Sequence, residues 1–142
     1  MSASPSAAQP VSILLVEDEE GMARLISFLL EREGYQVTHA ADGLKGAEAI
    51  QKMAPPSLAI LDMRVPYRNG LELLALIRSK PSWKGVPVVM LTSHTRERDV
   101  VRALEGGASD YIEKPFQPKE VVARLKRFLK PGKVPLGGPL AC

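Results

Sequence analysis

"ILLVEDEE", residues Ile13 to Glu20, sets four apolar side chains directly against four acidic ones. Read backward to Val11, the apolar half becomes "VSILLV". A continuous apolar run of this kind suits a strand covered on both faces rather than one face. Acids immediately after it suit the first turn of a helix, where the peptide dipoles favour negative charge. The stretch therefore reads as a buried strand running into a helix. That reading leaves a question, because four adjacent like charges repel and something should make the clustering worthwhile.

The same alternation repeats downstream. Met22, Leu25, Ile26, Leu29 and Leu30 recur at helical spacing, and Gly34 supplies a stop. "YQVTHA" (35–40) is a second, more polar strand, and "DGLKGAEAIQKMA" (42–54) is helical until Pro55 and Pro56 end it. "LAIL" (58–61) is a third buried strand, and "GLELLALIRSK" (70–80) a third helix. "VPVVML" (86–91) is a fourth strand, with Val100, Val101 and Leu104 marking the next helix. "DYI" (110–112) is a short fifth strand, and Val121, Val122, Leu125, Phe128 and Leu129 give the last helix its stripe.

Five strands alternating with five helices predict an α/β fold, a parallel sheet with helices on both faces. Right-handed crossovers leave few topologies. The polar second and fifth strands read as edges and the three apolar runs as central. That is the order 2-1-3-4-5 of a flavodoxin-like three-layer sandwich. In such a sheet a ligand sits beyond the C-terminal strand ends, where the order reverses between the first and third strands.

The chain has 142 residues, 45% apolar and 25% charged, which fits one soluble globular domain. Its apolar runs fall far short of the roughly 20 residues that span a bilayer, so no membrane role is expected. "MSASPSAAQP" (1–10) lacks the basic and apolar regions of a signal peptide and reads as disordered. Cys142 is the only cysteine, which excludes an internal disulfide and fits a reducing cytoplasm. The net charge of +3 gives only weak, salt-sensitive attraction to DNA, so DNA binding by this chain alone is not expected. Residues 131–142, within the Pro/Gly-rich "KPGKVPLGGPLAC", read as a tail or the stub of a linker. The ordered domain is then 11–130, and the alternative is an N-terminal portion of a longer regulator with an output domain.

The predicted strand ends gather a consistent set of residues. The first strand delivers Glu17 and Asp18, the third Asp62, the fourth Thr92, and the fifth, through "EKPF", Lys114. Each alone has an ordinary explanation: a helix start, a turn, an N-cap, a surface lysine. Their coincidence at four strand ends of one sheet is what argues for a site. Three carboxylates would repel unless a cation joined them, and oxygen ligands without His or Cys favour Mg²⁺ over zinc. Mg²⁺ is commonly completed by phosphate oxygens, and a lysine and a hydroxyl add donors for phosphoryl oxygens. A carboxylate can act as nucleophile toward phosphate, and Asp62 is the central acid.

The residues resemble the receiver domain of two-component response regulators. The matches are "LLVEDE", "LAILDMRVPYRNGLELL", "VVMLTS" and "GASDYIEKPF", over about Val11 to Lys130. The resemblance implies a phosphoacceptor, not an enzyme in the ordinary sense, with Asp62 taking phosphate from a sensor histidine kinase or phosphotransfer protein. It implies direct Mg²⁺ ligation by Asp18 and Asp62, largely water-mediated ligation by Glu17, and a further ligand in the Arg64 carbonyl. Lys114 would hold a phosphoryl oxygen, with a cis bond to Pro115. Thr92 would move toward the phosphoryl group and Tyr111 turn inward behind it. That switch implies output through the fourth helix, fifth strand and fifth helix, to a downstream protein or a second copy. Arg64 and His94, at positions the family varies, are expected to tune phosphoryl lifetime. Glu-Asp stands where Asp-Asp is commoner. Against a Rossmann-type nucleotide site, "EDEEG" would repel a pyrophosphate. Against a haloacid-dehalogenase phosphatase, Arg64 stands where a second Asp would be expected.

Overall fold

A computed structural model describes residues 11–93 and 97–129. The expected disordered start, the expected tail from 131 and His94 lie outside the described residues. Strand β1 is Ser12–Val16, followed by α1 Glu20–Arg32, β2 Gln36–Ala40, α2 Gly43–Lys52 and β3 Leu58–Leu61. Then come α3 Gly70–Ser79, a 3-10 turn at Pro81–Trp83, β4 Val88–Thr92, α4 Glu97–Glu105, β5 Asp110–Glu113 and α5 Pro118–Lys126. The strands form one sheet in the order β2-β1-β3-β4-β5. Every neighbouring pair is parallel. The flavodoxin-like α/β fold expected from the sequence is thus present.

The apolar runs are continuous because each face of the sheet has its own core. Leu14, Val16, Leu61, Val88 and Met90 pack on one face against α2, α3, Ala103 of α4 and Trp83. Ile13, Leu15, Ile60, Val89 and Leu91 pack on the other against α1 and α5. Each such fully buried side chain contributes roughly 1.5–3 kcal/mol of transfer free energy. The edges carry the polar strands, as their composition predicts: β2 exposes Gln36, Thr38 and His39, and only Ile112 is buried in β5.

Two helices sit differently from the predicted stripes. In α1 the buried line is Ala23, Ile26 and Leu30, whereas Leu25 is exposed. In α4 only Ala103 is buried, and Val101 and Leu104 face out. In α1 Ile26 and Leu30 of the predicted stripe are buried together with Ala23, whereas in α4 the small Ala103 is the buried residue and the larger apolar ones lie beside it. β4 begins after Pro87 rather than at Val86. Proline has no N–H for the ladder, although its carbonyl still accepts from Ala59 N–H at 3.0 Å.

Helix starts that face the crevice are capped by side chains. Asp42 accepts from Lys45 N–H at 2.8 Å and starts α2. Asn69 and Glu72 form a reciprocal capping box, both bonds at 2.9 Å, and start α3. A cap of this kind contributes about 1 kcal/mol. Gly34 ends α1 with φ at +91°, a conformation open to glycine at little cost.

Candidate functional site

The four adjacent acids occupy four environments. Glu17 continues the line of β1, its N–H donating to Ala40 O at 3.1 Å. Its side chain turns inward and the residue is 1% exposed. Asp18 is exposed at the mouth of the crevice. Glu19 caps α1, its carboxylate accepting from Met22 N–H at 2.6 Å. Glu20 points to solvent and pairs with Arg24 at 3.1 Å, a surface pair contributing a few tenths of a kcal/mol. Two of the four are therefore helix-start acids and two belong to a site.

Asp62 follows β3 directly and is held by its N–H on Val16 O at 3.0 Å. Its Oδ1 accepts from Arg64 N–H at 3.0 Å, and its Oδ2 accepts from Lys114 Nζ at 2.9 Å. Lys114 Nζ also donates to Glu17 Oε1 at 2.8 Å, so one ammonium joins two buried carboxylates. The other oxygen of Glu17 accepts from Glu19 N–H at 3.0 Å. Lys114 is aimed there by β5, its own N–H donating to Thr92 O at 2.9 Å. The Lys114–Pro115 bond is cis.

Glu17, Asp18 and Asp62 each offer a carboxylate oxygen within 4.8 Å of the others. Burial above all pushes the Glu17 carboxyl above its ordinary value; the Lys114 ammonium and Glu19 N–H pull it back, and the Asp62 charge adds to the rise. Burial opposes the Lys114 ammonium too, but its hydrogen bonds to Glu17 and Asp62 outweigh that, and its pKa stands above the ordinary lysine value. Nominally, three carboxylates and one ammonium leave a charge of minus two. The donor set is hard oxygen, and it fits Mg²⁺, which takes one or two carboxylates and retains water.

If Mg²⁺ binds only the folded site, stability rises as RT ln(1 + [L]/Kd). That is about 2.7 kcal/mol at a hundredfold excess over Kd, or roughly 10 °C for a domain of this size. Thermal melting with MgCl₂ and with EDTA reads this. Asp18→Asn is expected to shrink the response, and a wild-type melting temperature unmoved by Mg²⁺ would contradict the site.

Thr92 ends β4 and is 1% exposed. Tyr111 is half-buried and packs against the core on the α2–α3–α4 face. Burial raises its phenol pKa, with smaller contributions from Asp99, Glu113 and Asp62. The Arg64 side chain is exposed, two residues beyond Asp62. The fold thus brings Glu17, Asp18, Asp62 and Lys114 into one cluster, with Thr92 and Tyr111 on the adjoining strands. Sequence reasoning did not foresee the direct Glu17–Lys114 pair, which spans 97 residues of chain.

Residues 13–126 match the family described as the response regulator receiver domain, and the chain belongs to that family. It is a receiver domain of two-component signalling. Among its relatives is the DNA-binding response regulator MtrA of Mycobacterium tuberculosis, 40% identical over 118 residues, covering 83% of this chain and 50% of that protein. Another is the phosphate regulon transcriptional regulatory protein PhoB of Klebsiella pneumoniae, 41% identical over 118 residues, covering 83% of this chain and 51% of that protein. The chain spans about half the length of these curated relatives. A similar solved structure is the receiver domain of the sensor histidine kinase PA1611 from Pseudomonas aeruginosa, which has a magnesium ion coordinated in its active site cleft. It superposes with a TM-score of 0.77 at 30% identity, covering 85% of this chain and 98% of that one.

Proposed function

We propose that Asp62 is the phosphoacceptor of this receiver, that it works with Mg²⁺, and that a histidine kinase or phosphotransfer protein supplies the phosphoryl group. The observation that carries this reading is Lys114 joining buried Glu17 and Asp62, with Asp18 at the mouth. An Asp62 oxygen attacks phosphorus as the P–N bond of the donor phosphohistidine breaks. The imidazole leaves with the bonding electron pair and takes up a proton. Lys114 then serves the new phosphoryl oxygens as it now serves the carboxylates, and Thr92 supplies a hydroxyl from β4. Asp18 and Asp62, with Glu17 largely through water and the Arg64 carbonyl as a further ligand, would hold Mg²⁺, whose charge would offset that of the phosphoryl oxygens. The chain acts as a stoichiometric acceptor that assists its own phosphorylation and dephosphorylation, in the cytoplasm. Incubation with acetyl phosphate and Mg²⁺ tests the reading: a receiver accumulates acyl phosphate, and continuous turnover without accumulation would mark a phosphatase instead.

Arg64 is proposed to shield the acyl phosphate. Its backbone N–H is anchored on Asp62 while its side chain is free to overhang the group from the rim. Arg64→Gly should speed hydrolysis severalfold in a decay assay. Equal or slower decay would remove this role. The matching expectation for His94 lies outside the described residues.

Output is proposed to pass through α4, β5 and α5 to a downstream protein or a second copy. Tyr111 lies in β5 between Thr92 and Lys114 in sequence, and Arg124 of α5 is tied to Asp110 at 2.8 Å and to Tyr111 O at 3.3 Å. A phenol that packs further inward changes this face, by as much as the phosphoryl group prefers the inward state. Beryllofluoride, an acyl-phosphate mimic, should therefore alter self-association or partner binding, while DNA titration of this chain at physiological salt should show no tight binding. A surface indifferent to the mimic would count against the proposal.

A further inference from the structure

We infer that His39 is a positioning residue for the cation site, an inference that rests on the proposed Mg²⁺ role of Glu17 and Asp18. His39 lies on the exposed edge strand β2, opposite Leu15 in the register, and its ring reaches along the sheet to Glu17. Its Nε2 lies 2.7 Å from Glu17 O. A carbonyl only accepts, so Nε2 is the nitrogen that carries the hydrogen in this bond.

The reason for the bond is in the ladder. At one end of the β1–β2 pair Gln36 N–H donates to Val11 O at 2.8 Å, and at the other Glu17 N–H donates to Ala40 O at 3.1 Å. The next rung of a parallel ladder would run from the N–H of residue 42 to Glu17 O. β2 ends at Ala40, however, and Asp42 turns away as the N-cap of α2. His39, three residues before Asp42 and still within β2, takes over that carbonyl with its side chain.

The carbonyl belongs to the peptide unit linking Glu17 to Asp18. Holding it fixes the plane from which one carboxylate turns inward and the next stays at the mouth of the crevice. The two side chains leave the backbone in opposite senses, yet their oxygens must stay within 4.8 Å of each other and of Asp62. A peptide plane free to rock at the end of β1 would spread that distance. Partners that orient ligands in this way commonly matter about 10–100-fold in metal affinity, and one acting through the backbone belongs at the lower end of that range.

The test is calorimetric titration of MgCl₂ into wild type, His39→Ala and His39→Gln, beside thermal melting in EDTA. His39→Ala is expected to weaken Mg²⁺ binding about tenfold. His39→Gln, whose amide can still donate, should recover most of that loss. In acetyl phosphate labelling, the Mg²⁺ concentration for half-maximal rate should rise in His39→Ala while the rate at saturating Mg²⁺ stays near wild type. A lower melting temperature in EDTA with unchanged Mg²⁺ affinity would make His39 merely structural and overturn the inference. If His39→Ala does not fold, His39→Phe, a ring without the donor, replaces it in the comparison, and equal Mg²⁺ affinity in the Phe and Gln variants overturns the inference. Failure of the wild type to bind Mg²⁺ at all would instead defeat the underlying site.

Discussion

Asp62→Asn should fold, label at background with acetyl phosphate, and melt higher than wild type in EDTA. The loss of labelling follows from chemistry: an amide oxygen is a poor nucleophile toward phosphorus, and among the described residues the other buried carboxylate on Lys114, Glu17, lies deeper, 1% exposed against 6% for Asp62. The gain in stability follows from electrostatics. Removing one of three clustered carboxylates lowers the nominal charge of the cluster from minus two to minus one, and Asp62 is itself one of the groups that raises the Glu17 pKa. Asparagine keeps one acceptor oxygen, so one of the two bonds, from Arg64 N–H to Oδ1 or from Lys114 Nζ to Oδ2, is retained and the other is lost, which offsets part of the gain. The opposite signs on activity and stability are the signature of a site strained for function. Undiminished labelling would sink the assignment, and a lower melting temperature in EDTA would refute the repulsion argument.

Gly43→Ala should be among the most damaging single substitutions outside the core, although the residue touches no ligand. A Cβ on Gly43 would lie 2.0 Å from Arg68 O and 2.5 Å from Arg68 N, while Gly43 N–H donates to Pro66 O at 2.9 Å. The start of α2 and the β3–α3 loop are therefore in backbone contact, and that loop begins at Asp62. Overpacking of this severity costs about 3 kcal/mol or more, roughly 10 °C in melting temperature. The loop must move, so labelling of Asp62 should slow as well. Gly85→Ala is the control: nothing lies within 4 Å of its Cβ, and it should melt at or slightly above the wild-type temperature. Equal melting of Gly43→Ala and wild type would contradict the backbone contact.

The sheet order was readable because composition tracks coverage. β1, β3 and β4 are apolar but for a terminal Ser12 and Thr92 since helices cover both their faces, and β2 and β5 are more polar since they are edges. The acids, Thr92 and Lys114 were readable because a parallel sheet presents all its C-terminal ends on one side, so strand assignment alone collects them. Helix orientation was less readable. Leu25, Val101 and Leu104 fit a helical period yet are exposed, while Ala23 and Ala103 are buried, residues whose small size a pattern of large apolar residues does not weigh. Trp83, fully buried under the α2–α3 face, sits in a 3-10 turn that carries no periodic signal. The Glu17–Lys114 pair and the His39 bond to Glu17 O join elements far apart in sequence, and an edge-strand histidine looks like any exposed polar residue. Gly43 likewise reads as an ordinary residue after an N-cap until the loop that crosses it is known.

Asp62 is proposed to accept phosphate with Mg²⁺ at the cluster of Glu17, Asp18 and Lys114. Intact-mass and peptide-mapping measurement after incubation with acetyl phosphate, in MgCl₂ and in EDTA, tests it most directly. One base-labile, hydroxylamine-sensitive phosphoryl group is expected on the peptide containing Asp62, formed in MgCl₂ and strongly reduced in EDTA. A phosphoryl group on another residue, or labelling of Asp62 equal in EDTA and MgCl₂, would contradict it.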